Sequence, residues 1–330
     1  MLTDLLWVLP VAMAGCFALA LVLGKLVIPV LRALKAGQSI REVGPKWHNS
    51  KAGTPAMGGI IFITAAFIGT LVLSLIYQNW TAALVFAFAL VFGLIGFADD
   101  FIKVRKKRNL GLTSLQKLLL QLAVSALYLF LLFKLGHMSC ELWIPFTEIR
   151  WTIHPVIYIF FAIFVIVGTV NAVNLTDGID GLATGVTMPV MVFFLLTAVL
   201  VQKAELAFFP AALVGGLAGF LFYNFHPAKT FMGDTGSLFL GGAVCGLAFA
   251  LDMPLILLLV GIIYIIETLS VILQVGYFKL THGKRIFKMT PIHHHFEMCG
   301  WSEVKIWFVF VAISVCACVL AYISVQPLAG

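Results

Sequence analysis

The sequence predicts an all-α, polytopic membrane protein of ten transmembrane helices, and three observations lead there. Of its 330 residues, 62% are hydrophobic and only 11% charged, whereas an ordinary soluble domain carries about 25% charge. Apolar runs of the length a helix needs to cross hydrocarbon, about 20 residues, recur ten times. Threaded in order, those runs put 17 of the 21 lysines and arginines on one side.

The runs cover 5–31, 58–77, 81–98, 115–135, 155–173, 183–201, 207–225, 238–251, 255–278 and 304–325. The first is too long for a signal-peptide core and has no basic residue before it, so it is expected to stay as a span. The third stops on Asp99 and Asp100. Between the fourth and fifth, residues 142–146 and 149–153 are expected to pair as a small hairpin within about 140–153. The eighth run is short and is expected to borrow residues from 235–237. The ninth carries Glu267, the one acidic residue clearly inside a span. No soluble domain or low-complexity segment interrupts the bundle, so residues 1–330 read as a single transmembrane catalytic domain.

Charge then orients the bundle. One side collects Arg32, Lys35, Arg41, Lys46 and Lys51, the run from Lys103 to Arg108, Lys117, Lys229, and five more between Lys279 and Lys305. The other side has Lys134, Arg150 and Lys203, with Lys25 inside the first span. The positive-inside rule makes the rich side cytoplasmic and puts both termini outside. The net charge of +7 is therefore a property of one face, where it attracts anionic headgroups. Nucleic-acid binding would need a soluble domain that this chain lacks.

Other signals carry little. Cys16, Cys245, Cys316 and Cys318 fall in spans, Cys299 is cytoplasmic and Cys140 alone is outside, so neither a disulfide nor a zinc motif is expected. The glycosylation pattern at Asn174-Leu175-Thr176 lies on the wrong side.

Five of the 14 acidic residues, Asp99, Asp100, Asp177, Asp180 and Asp234, sit where apolar runs stop on the cytoplasmic face. Carboxylates near lipid are costly and are rarely placed there without a partner or a task. The cytoplasmic segments expected to build the site are about 32–57, 99–117, 174–182, 226–237 and 279–303.

Asp99 and Asp100 are adjacent. On one regular helix they cannot both point inward, so a fraying helix end is expected to let both reach a polar pocket. Two neighbouring carboxylates also call for a shared proton, a lysine or a divalent ion. Asn174, Asp177 and Asp180 recur at i, i+3 and i+6 behind Asn171, an acceptor-rich stripe for a metal, a sugar or a nucleobase. Gly178 and Gly181 argue for partial unwinding there. The run from Asn224 through Phe231 and Gly233-Asp234-Thr235-Gly236-Ser237 offers a carboxylate, hydroxyls and free N–H groups at a helix start, which favours phosphate. It lacks the Gly-Lys-Ser/Thr ending of a Walker loop. His293, His294 and His295 are consecutive and do not match zinc spacings, which leaves a solvated loop, phosphate contact or acid–base work.

Together the Ala-Asp-Asp-Phe-x-Lys run at 98–103, Asn-Leu-Thr-Asp-Gly-Ile-Asp-Gly at 174–181, Phe-Met-Gly-Asp-Thr-Gly-Ser at 231–237 and Pro-Ile-His-His-His-Phe-Glu at 291–297 resemble the phospho-N-acetylmuramoyl-pentapeptide-transferases. These are a branch of the polyprenyl-phosphate sugar-1-phosphate transferases. The resemblance runs from the loop at 44–51 to the last span, and the histidine run is its branch-specific part. One departure is visible: the family's Gly-Thr-Pro-Thr-Met-Gly-Gly has Ala56 for its second threonine here.

The resemblance implies transfer of phospho-MurNAc-pentapeptide from UDP-MurNAc-pentapeptide to undecaprenyl phosphate, giving lipid I and UMP, with Mg²⁺ as cofactor. It implies a homodimer in the bacterial cytoplasmic membrane with its active site facing the cytoplasm. Asp99, Asp100, Asp234, Lys117, His293, His294 and His295 become the catalytic candidates, with Asp234 the principal metal ligand and Asp99 and Asp100 beside it. Asp99 is the expected base and Asp100 its positioning partner. Lys46, Asn49, Lys51, Asn171, Asn174, Asp177, Asp180, Asn224, Phe231 and Gly233 become the substrate-binding candidates.

Three alternatives stand beside this reading. A related GlcNAc-1-phosphate transferase shares the aspartate motifs. A cation-coupled transporter would place its carboxylates midway through the bilayer. An intramembrane prenyltransferase would call for a second Asp-x-x-Asp, which Asp99-Asp100-Phe101-Ile102-Lys103 does not supply.

Overall fold

The computed structural model describes residues 2–34, 53–106 and 110–328, with backbone alone for 2–6. Among the described residues, ten helices are long and apolar enough to cross a membrane, matching the ten runs. They are α1 (Leu2–Ala33), α2 (Gly59–Tyr77), α3 (Thr81–Lys106), α4 (Ser114–Lys134), α5 (Pro155–Thr176), α6 (Leu182–Leu200), α7 (Phe208–Asn224), α8 (Gly233–Ala250), α10 (Ile262–Leu280) and α12 (Glu303–Val325). Short helices α9 (Leu257–Val260) and α11 (Ile292–Met298) complete the set.

Local chemistry explains several boundaries. Pro155 opens α5 at its first position, where the missing N–H costs nothing. Thr113 and Gln116 form a reciprocal capping box on α4, with Thr113 Oγ1 accepting from Gln116 N and Gln116 Oε1 accepting from Thr113 N. The expected hairpin is present: β1 (Glu141–Trp143) pairs antiparallel with β2 (Arg150–Thr152), Leu142 opposite Trp151. Its base is tied to the bundle by Asp252, which accepts hydrogen bonds from Ser139 N and Oγ and lies 3.6 Å from Arg150.

The centre of the bundle is α8. It is the least apolar of the ten spans yet nearly wholly buried, packed against α2, α3 and α5. Phe239 anchors it, with ring centroids 5.5 Å from Phe86, 6.0 Å from Phe62 and 6.1 Å from Phe209. Within lipid no hydrophobic force drives helices together, so close packing of this kind does that work.

Two boundaries differ from expectation. Helix α3 continues eight residues past Ala98 to Lys106, because the charges beyond Ala98 find partners across the bundle. Its last turn holds Lys103, Arg105 and Lys106, which suit the negative end of the helix dipole. The ninth run is broken at Gly261 into α9 and α10. Past Glu267, α10 presents Leu269, Ile272, Leu273, Phe278 and Leu280 as exposed apolar side chains.

Candidate active site

Asp234, in the first turn of α8, is the hub. Its Oδ1 accepts from Asn174 Nδ2 at 2.9 Å, and its Oδ2 accepts from Lys103 Nζ and Lys117 Nζ, each at 3.0 Å. Lys117 arrives in the first turn of α4 and Lys103 in the last turn of α3. Gly96 lets α3 come this close: a Cβ there would overlap the backbone of Asp234 and Thr235. Gly233, at φ +70°, turns the chain into α8, and a Cβ on it would strike Asp100 Oδ2.

Asp99 and Asp100 are both buried on the regular helix α3, which corrects the expected frayed end. Each finds a different neighbour on its own side. Asp100 Oδ2 accepts from Thr235 N at 2.9 Å and Thr235 Oγ1 at 2.7 Å, so α3 supplies the cap that the residue before α8, Met232, does not. Asp99 Oδ1 accepts from Leu112 N at 2.8 Å, and its Oδ2 lies 2.5 Å from Lys103 Nζ. Ligand oxygens of Asp99, Asp100 and Asp234 all lie within 4.8 Å of one another. Hard carboxylate oxygens so gathered fit a divalent ion.

The Asn174, Asp177 and Asp180 stripe does not form one face, because α5 ends at Thr176. Asn174 turns to Asp234 and to Ser237 Oγ at 2.7 Å. Asp177 caps the end of α5, half-buried. Burial, then the negative charges of Asp234, Asp100 and Asp180, push its carboxyl up to about 8. Asp180 faces elsewhere: its Oδ2 accepts from Ala228 N at 3.0 Å and meets His226 Nδ1 at 2.9 Å, while its own N–H donates to Glu303 Oε2 at 3.1 Å. Asp180, His226 and Glu303 thus clasp the loop before α8 to the starts of α6 and α12. Their ligand atoms also lie within 4.8 Å of one another.

Two asparagines expected to meet substrate are committed inside the fold. Asn224 is buried, donating to Thr230 O and accepting from Thr184 Oγ1. Asn171 donates to Gln121 Oε1 and Val167 O. Phe231 is half-buried and its backbone pairs with residues 55 and 58. Lys46, Asn49 and Lys51 lie outside the described residues.

The three histidines do not share one pocket. Consecutive residues on α11 diverge by about 100°. His293 is fully buried, with Nδ1 3.0 Å from Glu267 Oε2 and Nε2 lying against Gly178. That Nε2 has no hydrogen-bond partner among the described residues. His294 Nδ1 lies 2.6 Å from Glu297 Oε2, and its ring is 4.1 Å from that of His293. His295 turns away, accepting from Lys288 N at Nδ1.

Sequence reasoning passed over Lys103 and Glu267 as site residues. Lys103 stands i+4 from Asp99 and i+3 from Asp100, a spacing that faces them once α3 is extended. Glu267 was the one acidic residue clearly within a span, the signal that a partner exists.

The model of glycosyl transferase family 4 matches residues 80–252. The phospho-N-acetylmuramoyl-pentapeptide-transferase signature 1 matches residues 51–63, Ala56 included. A phospho-N-acetylmuramoyl-pentapeptide-transferase of Clostridium acetobutylicum is 49% identical over 313 residues, covering 93% of this chain and 96% of its own. That of Caldanaerobacter subterraneus is 50% identical over 312 residues, 94% and 96% of the two chains. That of Listeria monocytogenes is 47% identical over 318 residues, 96% and 98%.

Proposed function

This chain belongs to the phospho-N-acetylmuramoyl-pentapeptide-transferases, and from that membership we infer its reaction in terms of its own residues. It transfers phospho-MurNAc-pentapeptide from UDP-MurNAc-pentapeptide to undecaprenyl phosphate, giving lipid I and UMP. The observation that carries this reading is Asp234, held at the start of α8 by Asn174, Lys103 and Lys117 against Asp99 and Asp100. The signature match at 51–63 favours the muramoyl branch over a GlcNAc-1-phosphate transferase.

An oxygen of the lipid phosphate attacks the sugar-bound phosphorus, the bond to the bridging oxygen breaks, and UMP leaves. One pyrophosphate linkage replaces another, so the work lies in positioning and charge neutralisation. Mg²⁺, a hard ion suited to Asp99, Asp100 and Asp234, supplies that neutralisation at the phosphate oxygens when bound. Lys117 faces the same oxygens from α4.

Asp99 acts as base toward the lipid phosphate, with Leu112 N fixing one of its oxygens. A phosphate monoester has its second pKa near ~6, so only the residual monoanion needs a base at neutral pH. Asp100, held by both donors of Thr235, positions. The nucleotide end lies along Phe231, whose ring is available to stack on uracil, and Asp177, which keeps its proton at neutral pH and can donate. His293 Nε2 and His294 face the diphosphate. Asn224 and Asp180 act through the loop they hold.

The bundle end carrying the site is cytoplasmic and both termini are outside, as the basic residues on that side favour. The enzyme works as a homodimer in the bacterial cytoplasmic membrane, on the strength of the family resemblance. The deciding experiment measures UMP release from UDP-MurNAc-pentapeptide and from UDP-GlcNAc, each with undecaprenyl phosphate and Mg²⁺. Turnover of the first alone is expected. Equal turnover of both would overturn the muramoyl reading, and a transporter would release no UMP.

A further inference from the structure

The Lys103 ammonium stands at the point on which three carboxylates converge. Its Nζ is 2.5 Å from Asp99 Oδ2, 3.0 Å from Asp234 Oδ2 and 3.8 Å from Asp100 Oδ1. Lys117, by contrast, meets Asp234 alone among those three. The two lysines also differ in freedom: the Lys103 side chain is 33% exposed and that of Lys117 18%. Lys103 therefore has the wider outlet of the two, on a stem of four carbons.

We propose that Lys103 is a resident counter-cation of this site that withdraws when a divalent ion enters, and so sets the site's affinity for metal. The proposal rests on the reading that Asp99, Asp100 and Asp234 hold the metal. An ion bound to these oxygens at about 2.0–2.1 Å would need the space where the ammonium sits. Two cations cannot share it, because neither screens the other inside a buried pocket. Exchange also balances charge. Three carboxylates facing two ammoniums plus a dication would carry a net positive charge, whereas exchanging one ammonium for the dication leaves three charges of each sign. Asp234 keeps Lys117 and Asn174 throughout, so the carboxylate frame need not reorganise.

A withdrawn Lys103 remains at the mouth of the site, on the last turn of α3. There it faces whatever anion approaches the metal. The same side chain would then hold the carboxylates apart from lipid in one state and meet a phosphate oxygen in the other.

The test uses the full-length wild-type enzyme in detergent. Lysines are acetylated briefly with acetic anhydride at fixed pH, with and without Mg²⁺, and labelling is read residue by residue by mass spectrometry. Lys103 labelling is expected to rise several-fold with Mg²⁺, over the concentration range in which Mn²⁺ binding is seen by electron paramagnetic resonance, while Lys117 labelling does not rise. A Lys103 that stays equally protected while metal binds overturns the proposal and leaves the metal reading intact. No saturable Mn²⁺ binding overturns both.

A variant gives a second reading. Lys103→Gln should bind Mn²⁺ roughly tenfold tighter or more, since a competing charge is gone. Unchanged or weaker binding also overturns the proposal. A lysine fixed beside the site would weaken metal binding too, but it would gain no exposure, and the labelling separates the two.

Discussion

Glu267 Oε2 lies 3.0 Å from Nδ1 of His293, both side chains fully buried. A carboxylate at Nδ1 holds a proton there and turns the lone pair of Nε2 toward Gly178, or faces an imidazolium that donates from Nε2. Either way Glu267 fixes the ring that points at Gly178. Glu267→Gln is expected to leave the protein folded and lower kcat by about 10²-fold, with a smaller change in KM for the nucleotide-sugar. Unaltered kcat in the UMP-release assay would remove Glu267 from the mechanism.

For Asp99, the pH–rate profile of Asp99→Asn separates a base from a positioning group. A base role predicts a loss of about 10²-fold or more, with a residual rate that climbs as the lipid phosphate ionises near ~6. A residual rate flat between roughly pH 5.5 and 9, a range that spans that pKa, leaves positioning only.

Thr235→Val keeps the shape of the side chain and removes one of the two donors to Asp100. Asp100 is buried, so the lost bond cannot be replaced by bulk water. The expected cost is about 1–3 kcal/mol, seen as a lower thermal midpoint in detergent. A midpoint equal to wild type would mean that the Thr235 hydroxyl does not help to hold Asp100.

Asp177 links the site to pH. Its carboxyl holds a proton up to about 8 in the folded protein, whereas in the unfolded chain it ionises near ~3.9. The folded state therefore binds more protons between those values, and the contribution to stability present at low pH is lost as pH rises toward 8. In EDTA, the thermal midpoint of wild type should fall relative to that of Asp177→Asn from pH 6 to 8, a range chosen to lie below that pKa, and the gap should stop widening above it. Parallel curves would place the proton elsewhere.

His295 turns toward the Lys288 backbone, so His295→Ala should alter activity by about twofold at most. His293→Ala and His294→Ala should each cost on the order of 10²-fold. A selective zinc chelator under excess Mg²⁺ should leave the wild type active. Activity restored only by zinc would make the histidines metal ligands.

Much of this was legible in the residues. The ten spans could be read because lipid demands continuous apolar length, and the hairpin because strand alternation resumes only at 142–153. What escaped were the places where charge is buried by pairing across the bundle. Helix α3 outruns its apolar stretch because Lys103 and Thr235 satisfy Asp99 and Asp100, and no local pattern announces a partner 135 residues away. Helical periodicity misled at 174–180, since the turn after Thr176 sends Asn174 and Asp180 to different neighbours. Glu267 looked isolated for the same reason: His293 lies 26 residues on.

The burial of α8 bears on how the molecule is made. As the least apolar of the ten spans, it is the one worst suited to stand alone in lipid as it leaves the insertion machinery. Its seat is built from α2, α3 and α5, all earlier in the chain and therefore already in the membrane when α8 emerges. Reordering the helices, as in a circular permutant that delivers α8 first, should strand it without its seat and send the nascent chain to quality control before any chemistry can be assayed.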